Sequence, residues 1–256
     1  MKLAIISDIH ANLPALEAVI SDIEDKKVDN IFCLGDLVNF AGWDNEVIDF
    51  FRHEKIMCIQ GNHDERICNN ITDFHFHFSN PEELKFHQMS LKKVNETITS
   101  PNRAFLKSLP FSVKLSYKFA NYQLKINMFH SSLHDNDDFI DPEITDEQLL
   151  KLFREADADI ILTGHTHSPF HRVVFCEDNG EKKYLHFVNP GSVGKPLHNA
   201  NKACYAIINL LENYGLNDSE LVSIEFCYVT YVIEKVISHL HELGFPDFYD
   251  NNLRNG

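Results

Sequence analysis

The stretch Gly61-Asn62-His63-Asp64 places three chemically active side chains next to one another. It follows the apolar run Ile56-Met57-Cys58-Ile59, which predicts that the tetrapeptide lies in the turn where a buried strand ends. An amide oxygen, an imidazole and a carboxylate can together hold a metal ion, transfer a proton and orient the group that transfers it. A site of this kind needs further ligands from elsewhere in the chain.

Four other segments carry histidine or carboxylate side chains directly after predicted strands. They are Asp8-Ile9-His10, Gly35-Asp36, His130 and Gly164-His165-Thr166-His167. In an extended chain, residues two apart face the same way, so we expect Asp8 to converge with His10, and His165 with His167. The carboxyl ends of strands are also where open α/β sheets place their ligands.

Together these segments offer seven nitrogen and oxygen donors and no thiolate, more than one tetrahedral zinc ion needs. The candidate metal ligands are Asp8, His10, Asp36, Asn62, His130, His165 and His167. The set suits two divalent ions that share a carboxylate, with Mn²⁺ favoured over Fe, Zn, Ni or Co. Two ions about 3.5–4 Å apart can clamp the attacking and leaving oxygens of an in-line displacement and acidify a bridging water.

The elements that must position these residues follow from hydrophobic periodicity. The first part of the chain predicts a strand at 2–7, a helix after Asn12 and Pro14, a strand at 31–34, a helix at 44–54 and a strand at 56–59. This β-α-β-α-β pattern implies a parallel sheet. The later part predicts a hairpin at 112–118 and 122–129, a helix near 146–155, a strand at 159–162, a hairpin turning at Asp178-Asn179-Gly180, strands near 203–210 and 221–230, and a helix at about 232–243.

The segment at about 65–110 differs in composition and predicts a helical cap inserted over the site. In it, His75 and His77 alternate with phenylalanine, which indicates either a partly buried edge or a substrate-facing surface. With no linker-like stretch and no internal repeat, we interpret 1–256 as a single domain.

Composition narrows the functional classes. The 256 residues carry a formal net charge of −15, which disfavours binding along a nucleic-acid backbone but allows a small phosphorylated substrate beside metal ions. The six cysteines are scattered without a Cys-x-x-Cys pair, so we expect free thiols. No signal peptide or membrane segment is indicated, and we expect a cytoplasmic protein; the oligomeric state is left open.

Taken in order, these motifs resemble those of the calcineurin-like metallophosphoesterase superfamily. The loop Asn189-Pro190-Gly191-Ser192-Val193-Gly194 and the segment Leu243-Gly244-Phe245-Pro246 are similar to the small prokaryotic phosphodiesterase branch. The resemblance implies an α/β fold of two packed mixed β-sheets flanked by helices, in four layers. It also implies a dinuclear phosphoesterase that attacks small phosphodiester or nucleotide-like substrates with a metal-bridging hydroxide.

The resemblance further implies a role for each residue. One ion would be held by Asp8, His10, Asp36 and His167, and the other by Asp36, Asn62, His130 and His165. His63 would contact the phosphate and protonate the leaving alkoxide, and Asp64 would orient its imidazole.

Some features depart from the branch and bear on the substrate. Asn39-Phe40-Ala41-Gly42 replaces a Gly-Tyr-Gly-Pro-like run, and Ser131 and Ser132 follow His130 where a glycine is usual. The phosphate-clamping arginines of protein phosphatases have no counterpart, since Asn39-Phe40 and Gln60 stand in their places.

A phosphomonoesterase, a protein Ser/Thr phosphatase-like enzyme and a dinucleoside polyphosphate hydrolase would share the metal site and stay open as alternatives. A catalytically silent scaffold is disfavoured, because no ligand is missing. Lys195 is interpreted either as a phosphate contact or as a surface lysine. His134, Asp137 and Asp138 are interpreted as a solvated acidic loop rather than a third metal site.

Overall fold

The computed structural model describes residues 1–71, 81–120, 122–140, 143–178, 180–197, 201–211, 214–247, 250 and 253–254. In these ranges the elements are β1 (Lys2–Ile6), α1 (Leu13–Lys26), β2 (Asn30–Cys33), α2 (Asp44–Glu54), β3 (Met57–Cys58), α3 (Asn62–Cys68), α4 (Pro81–Thr97), α5 (Ser100–Ser108), β4 (Ser112–Lys118), β5 (Gln123–Phe129), α6 (Asp146–Ala156), β6 (Ile160–Leu162), β7 (Phe170–Asp178), β8 (Glu181–Asn189), β9 (Lys202–Leu210), β10 (Val222–Thr230) and α7 (Ile233–Glu242). His75 and His77 lie outside the described residues.

The strands form two five-stranded mixed sheets. The first has the order β10-β9-β1-β2-β3, and the second has the order β4-β5-β6-β8-β7. In the first sheet β1, β2 and β3 are parallel, as the β-α-β-α-β pattern predicts, while β9 runs antiparallel to β1. In the second sheet β6 lies between two parallel neighbours, β5 and β8. The second sheet therefore has a parallel centre with an antiparallel strand at each edge, while the first has its parallel strands on one side and its antiparallel strands on the other.

Alternating apolar residues pack the two sheets face to face. Leu3 and Ile5 of β1 lie in the same buried cluster as Ile126 of β5 and Ile160 of β6. The intervening residues of β1 point the other way and join the buried apolar residues of α1 and α2. On the far face of the second sheet, Phe187 packs with the buried residues of α6. This confirms the predicted α/β/β/α sandwich, since the period of two puts an apolar row on each face of a strand buried on both sides.

Most of the predicted elements are present, with small shifts at their ends. Asn12 caps α1 through its side chain, which accepts the N–H of Ala15, as the sequence indicates. The opening tetrapeptide is more than a turn, because its last three residues form the first turn of helix α3. Asp64 stands at the third position of that helix and accepts the N–H of Gly61 at 3.0 Å, which fixes where the helix begins.

Helices α4 and α5 occupy most of the segment interpreted as an inserted cap. Leu91 and Val94 of α4 are buried in the same core as the apolar residues of α1 and α2. Phe86 of α4 lies in a second cluster that also contains Phe40 and residues of α7. The two helices thus share cores with the first sheet's helical layer. The single-domain interpretation with an inserted cap stays a prediction.

No helix within the described ranges is both long and apolar enough to cross a lipid bilayer.

Candidate metal centre

The candidate ligands all lie where strands of the two sheets end. Asp8 and His10 follow β1, Asp36 follows β2, and Asn62 begins α3 just after β3. From the second sheet, His130 follows β5, and His165 and His167 follow β6. Of the close groups of potential ligand atoms found among the described residues, three lie at these strand ends. They are Asp8 with His10 and His167, His10 with Asp36 and His63, and Asp8 with Asp36 and His130.

The backbone brings these side chains together by left-handed turns. Asp8, His10, Asp36, His165 and His167 have φ values of 54°, 48°, 57°, 65° and 56°. The expectation that each pair converges because the chain is extended is therefore wrong in its geometry. Aspartate and histidine are among the non-glycine residues that tolerate the left-handed region best, and such backbone is often found at functional sites.

Backbone hydrogen bonds tie these loops to one another. The N–H of Asp8 donates to Gly35 at 3.0 Å, and the N–H of His10 donates to the carbonyl of Asp36 at 2.9 Å. The N–H of Gly164 donates to the carbonyl of His130 at 2.8 Å. Gly194 packs so closely that an added Cβ would lie 1.8 Å from the carbonyl oxygen of Ile9. The ligand positions are thus fixed relative to one another before any ligand binds.

Three histidines are oriented by backbone carbonyl groups. The Nδ1 atom of His10 lies 3.3 Å from the Val38 oxygen, that of His130 lies 2.7 Å from the Leu34 oxygen, and that of His167 lies 2.7 Å from the Lys195 oxygen. A carbonyl oxygen only accepts hydrogen bonds, so each Nδ1 must carry the proton. With Nδ1 held in this way, Nε2 is the ring nitrogen that is left to bind a metal. Burial opposes a charge on His130, but Asp36 raises its pKa to about 10, so a metal ion would replace the Nε2 proton of that ring.

The Nε2 atoms of two of these histidines face one another and two carboxylates. The Nε2 atoms of His10 and His167 are 3.0 Å apart, and Asp8 Oδ1 lies 3.3 Å from the latter. Burial, and then the charge of His167, lowers the pKa of His10 well below its ordinary value. Two ring nitrogens can lie this close only when a proton or another cation lies between them. The chemistry of the donor set therefore fits a divalent metal ion.

Asp36 lies between the ligand group around His10 and the ligand group around His130. Its Oδ2 lies 3.4 Å from Nε2 of His130 and 3.9 Å from Nε2 of His10. Burial by itself would raise the pKa of this carboxyl, but His130 and the other histidines around it hold the pKa well below its usual value. Asp36 is thus an ionised carboxylate within reach of both ligand groups, as expected of a bridging residue.

Asn62 and His165 lie beside His130. The Oδ1 atom of Asn62 lies 3.1 Å from His130 Nε2, while its Nδ2 donates to Asp137 at 2.9 Å. The His165 ring packs edge-on to His130 with ring centroids 5.3 Å apart, and its backbone N–H donates to Asp8 Oδ2 at 3.1 Å. Asp137 is therefore more than part of a solvated loop, because it turns the oxygen of Asn62 towards the candidate metal position.

His63 is oriented by Asn39, a residue to which the sequence analysis gives no role. The Nδ1 atom of His63 lies 2.8 Å from Asn39 Nδ2. The Oδ1 atom of Asn39 is occupied elsewhere, since it accepts the N–H of Phe40 at 3.1 Å and the hydroxyl of Ser90. Asn39 must therefore donate to Nδ1, which leaves the proton of a neutral His63 on Nε2. Burial lowers the pKa of His63 to about 3, so the neutral form prevails at neutral pH.

The contacts of Asp64 differ from the predicted ones. Its two oxygens accept the N–H groups of Asp36 at 2.8 Å, Leu37 at 2.9 Å and Gly61 at 3.0 Å. The carboxylate is thus committed to the backbone of the loop that carries Asp36, and the imidazole of His63 takes its hydrogen bond from Asn39 instead. The expectation that Asp64 directly orients His63 is therefore corrected. A long-range amide contact of this kind leaves no local signal in a sequence.

The chain belongs to the calcineurin-like phosphoesterase superfamily, whose domain model matches residues 1–213. Its relatives include the uncharacterized protein MJ0912 of Methanocaldococcus jannaschii, which is 29% identical and is matched over 98% of this chain and 96% of the relative.

Two solved structures share the fold. The metallophosphoesterase from Sphaerobacter thermophilus has a TM-score of 0.69 at 24% identity and covers 99% of this chain and 98% of its own. The hypothetical protein PH1004 from Pyrococcus horikoshii OT3 has a TM-score of 0.68 at 19% identity and covers 99% and 96% of the two chains. The family, together with the candidate ligand groups, supports a metal-dependent phosphoesterase.

The position of Asp36 generates a prediction about metal content. Asp36→Asn should lower the number of bound ions and weaken their binding by about tenfold or more, because a shared carboxylate would become a neutral amide. Elemental analysis after dialysis measures this directly. Asp159→Asn is the matched control, since Asp159 is also buried and accepts a backbone N–H, but from Lys125. Equal metal content in both variants would contradict a ligand role for Asp36.

The contact of Asn39 generates a second prediction. Asn39 has a φ of 79°, so Asn39→Gly removes the side chain without backbone strain. We expect kcat to fall about tenfold with metal content unchanged, because His63 loses the donor that fixes its tautomer. Ser90→Ala, which removes only the hydroxyl that holds Asn39, should show a smaller loss in the same assay. An unchanged kcat in Asn39→Gly would assign the amide a structural role alone.

Proposed function

We propose that this protein hydrolyses small phosphodiester or nucleotide-like substrates with the help of two divalent metal ions, Mn²⁺ being the favoured ion. The observation that carries this proposal is one arrangement of tautomers. Backbone carbonyl groups hold Nδ1 of three site histidines and turn Nε2 towards a common centre, while Nδ1 of His63 beside them accepts a hydrogen bond and its Nε2 carries the proton. The first arrangement binds cations, and the second donates a proton.

The ligand groups divide between two ions. Asp8, His10, Asp36 and His167 would hold one, and Asp36, Asn62, His130 and His165 the other, as the family resemblance implies. The close groups Asp8 with His10 and His167, and Asp8 with Asp36 and His130, support this division. When bound, such ions supply Lewis-acid polarisation of a phosphoryl oxygen and lower the pKa of a coordinated water. The protein itself keeps the ligand rings in the correct tautomer and holds the carboxylates ionised.

His63 acts in this proposal as the proton donor to the leaving oxygen. Its backbone N–H donates to Asp36 Oδ1 at 2.8 Å, so the residue is attached to the bridging carboxylate while its ring stays separate. The Nε2–H bond is available to an oxygen of the substrate, because Nδ1 is occupied by Asn39. A neutral donor of this kind contributes most when the leaving alcohol is a poor one.

The residues that stand in place of the arginines of protein phosphatases favour diesters over monoesters as substrates. Gln60, which stands in the place of a phosphate-clamping arginine, donates its side-chain N–H to the carbonyl of Leu106 at 2.8 Å and is used within the fold. Asn39, in the other place, holds His63. A monoester dianion relies more than a diester monoanion on cationic groups around its terminal oxygens. The overall charge of −15 further favours small substrates over long nucleic acids.

Substituting the proton donor tests its assignment. His63→Gln should keep both ions and lower kcat by about a hundredfold for an alkyl leaving group and much less for p-nitrophenolate, which leaves without a proton. Metal analysis and a leaving-group series measure the two effects. Loss of metal in this variant would instead make His63 a ligand.

The substrate class is tested with metal-supplemented protein. We expect kcat/KM for bis(p-nitrophenyl) phosphate to exceed that for p-nitrophenyl phosphate, because Asn39 and Gln60 stand where arginines would clamp a dianion. Stopped assays across Mn²⁺, Zn²⁺, Ni²⁺ and Co²⁺ compare the two esters under equal conditions. Preferential cleavage of the monoester would replace the proposed activity with a phosphomonoesterase, and inactivity towards both would reject the class.

A further inference from the structure

A cluster formed by Lys195, His87 and the ring of Phe40 lies beside the candidate metal centre, where the Phe40 ring is 4.7 Å from the ring of His10. The Nζ atom of Lys195 is 4.1 Å from the centroid of the Phe40 ring. The His87 ring packs edge-on to Phe40 with centroids 4.7 Å apart, and the His63 ring lies 5.2 Å from Phe40. The family motifs do not include Lys195 or His87.

The cluster is built from rigid parts. Phe40 is 5% exposed, has a φ of 79°, and donates its N–H to Ser90 at 2.9 Å. Lys195 is fixed at both ends of its backbone, since its N–H donates to Ser192 at 2.8 Å and its carbonyl accepts from the ring of His167 at 2.7 Å. The ammonium group is thus held over the aromatic ring by the same loop that orients a candidate metal ligand.

The cluster makes this side of the site positive in an otherwise acidic protein. The ammonium group of Lys195, held over the Phe40 ring, supplies this charge. His87 is neutral at neutral pH, because burial and then Lys195 lower its pKa to about 2, and its ring can donate a hydrogen bond.

The carboxylates of Glu83 on α4, Asp36 and Asp8 moderate this charge. Glu83 lies 3.7 Å from Nε2 of His87 and is about one-third exposed. It also attracts Lys195 and opposes the loss of its proton. An anion bound in the cluster would have to compete with Glu83 for the ammonium, so Glu83 and Lys195 should affect anion binding in opposite directions.

We propose that the leaving group of the substrate carries an anionic phosphate of its own, and that Lys195, assisted by His87, binds this second phosphate. The inference rests on the proposed function, since it takes His63 as the donor to the leaving oxygen and places the cluster directly beside it. The substrate class is a small ester or anhydride with a second phosphate beyond the scissile bond, as in nucleoside polyphosphates.

Two synthetic diesters separate this inference from the proposed function. They share one alcohol, and the leaving phenol is either 4-ethylphenol or 4-(phosphonomethyl)phenol, whose phosphonate cannot be hydrolysed. In Mn²⁺-loaded protein we expect the phosphonate diester to have the higher kcat/KM. Lys195→Met keeps the packing of the side-chain stem and should reduce the ratio of the two kcat/KM values by about tenfold to a hundredfold.

Two further variants test whether charge at the cluster controls the ratio of the two kcat/KM values. Glu83→Gln should raise the same ratio, because it removes a competing carboxylate. Lys114→Met removes an equal charge from the exposed face of β4 and should leave the ratio unchanged. Binding of 4-(phosphonomethyl)phenol, measured by calorimetry without turnover, should weaken in Lys195→Met by a similar factor.

The outcomes are distinguishable. If both diesters are cleaved but Lys195→Met affects them equally, Lys195 acts on the transferred phosphate and the inference is overturned. If neither diester is cleaved, the proposed function fails, and calorimetry alone decides whether the cluster is an anion site. Equal affinity of the phenol for wild type and Lys195→Met would then overturn the inference as well.

Discussion

Backbone carbonyl groups determine which ring nitrogen of three site histidines faces the candidate metal centre. The oxygens of Val38, Leu34 and Lys195 each accept a hydrogen bond from an Nδ1 atom, and they thereby turn three Nε2 atoms towards that centre. His63 has the opposite arrangement, because its Nδ1 faces an amide donor. Four imidazoles of the same chemical type thus receive different proposed roles, three as ligands and one as a proton donor, from the groups behind them.

This sorting depends on the packing of the two sheets. The Leu34 carbonyl belongs to the first sheet's β2 loop, yet it orients His130 of the second sheet. The Lys195 carbonyl lies beyond β8 and orients His167, whose Nε2 meets that of His10 from the first sheet. The apolar cluster between the sheets, which includes Ile5 and Ile126, sets the distance at which these loops meet. The ligand geometry therefore depends on the packing of the apolar core between the sheets.

The sequence predicts the secondary structure and the fold class better than it predicts the side-chain contacts at the site. Local signals are enough for Asn12 as a helix cap, for the strand that ends before Asp36, and for the α/β class, because periodicity and capping act over a few residues. Local signals do not predict the role of Asn39, which donates a hydrogen bond to the ring of His63 and accepts one from the hydroxyl of Ser90. They also misassign Asp64, whose three backbone donors come from two separate loops.

The left-handed ligands show a related limit. Nothing in the local sequence around His165 or His167 demands a positive φ, and the extended backbone assumed for them is the commoner state. Their conformation is imposed by hydrogen bonds that reach the loop from elsewhere, such as that of His165 with Asp8. The motif order thus points to a shared site, while the route by which its residues converge needs the folded chain.

The division of ligands between the sheets also has a thermodynamic consequence. Each proposed ion takes ligands from both sheets, with Asp8, His10, Asp36 and Asn62 on one side and His130, His165 and His167 on the other. Since the unfolded chain does not hold these groups together, the binding free energy of the ions adds to that of folding. The resistance of the sandwich to unfolding then rises with the free metal concentration, and fold stability becomes a measure of site occupancy.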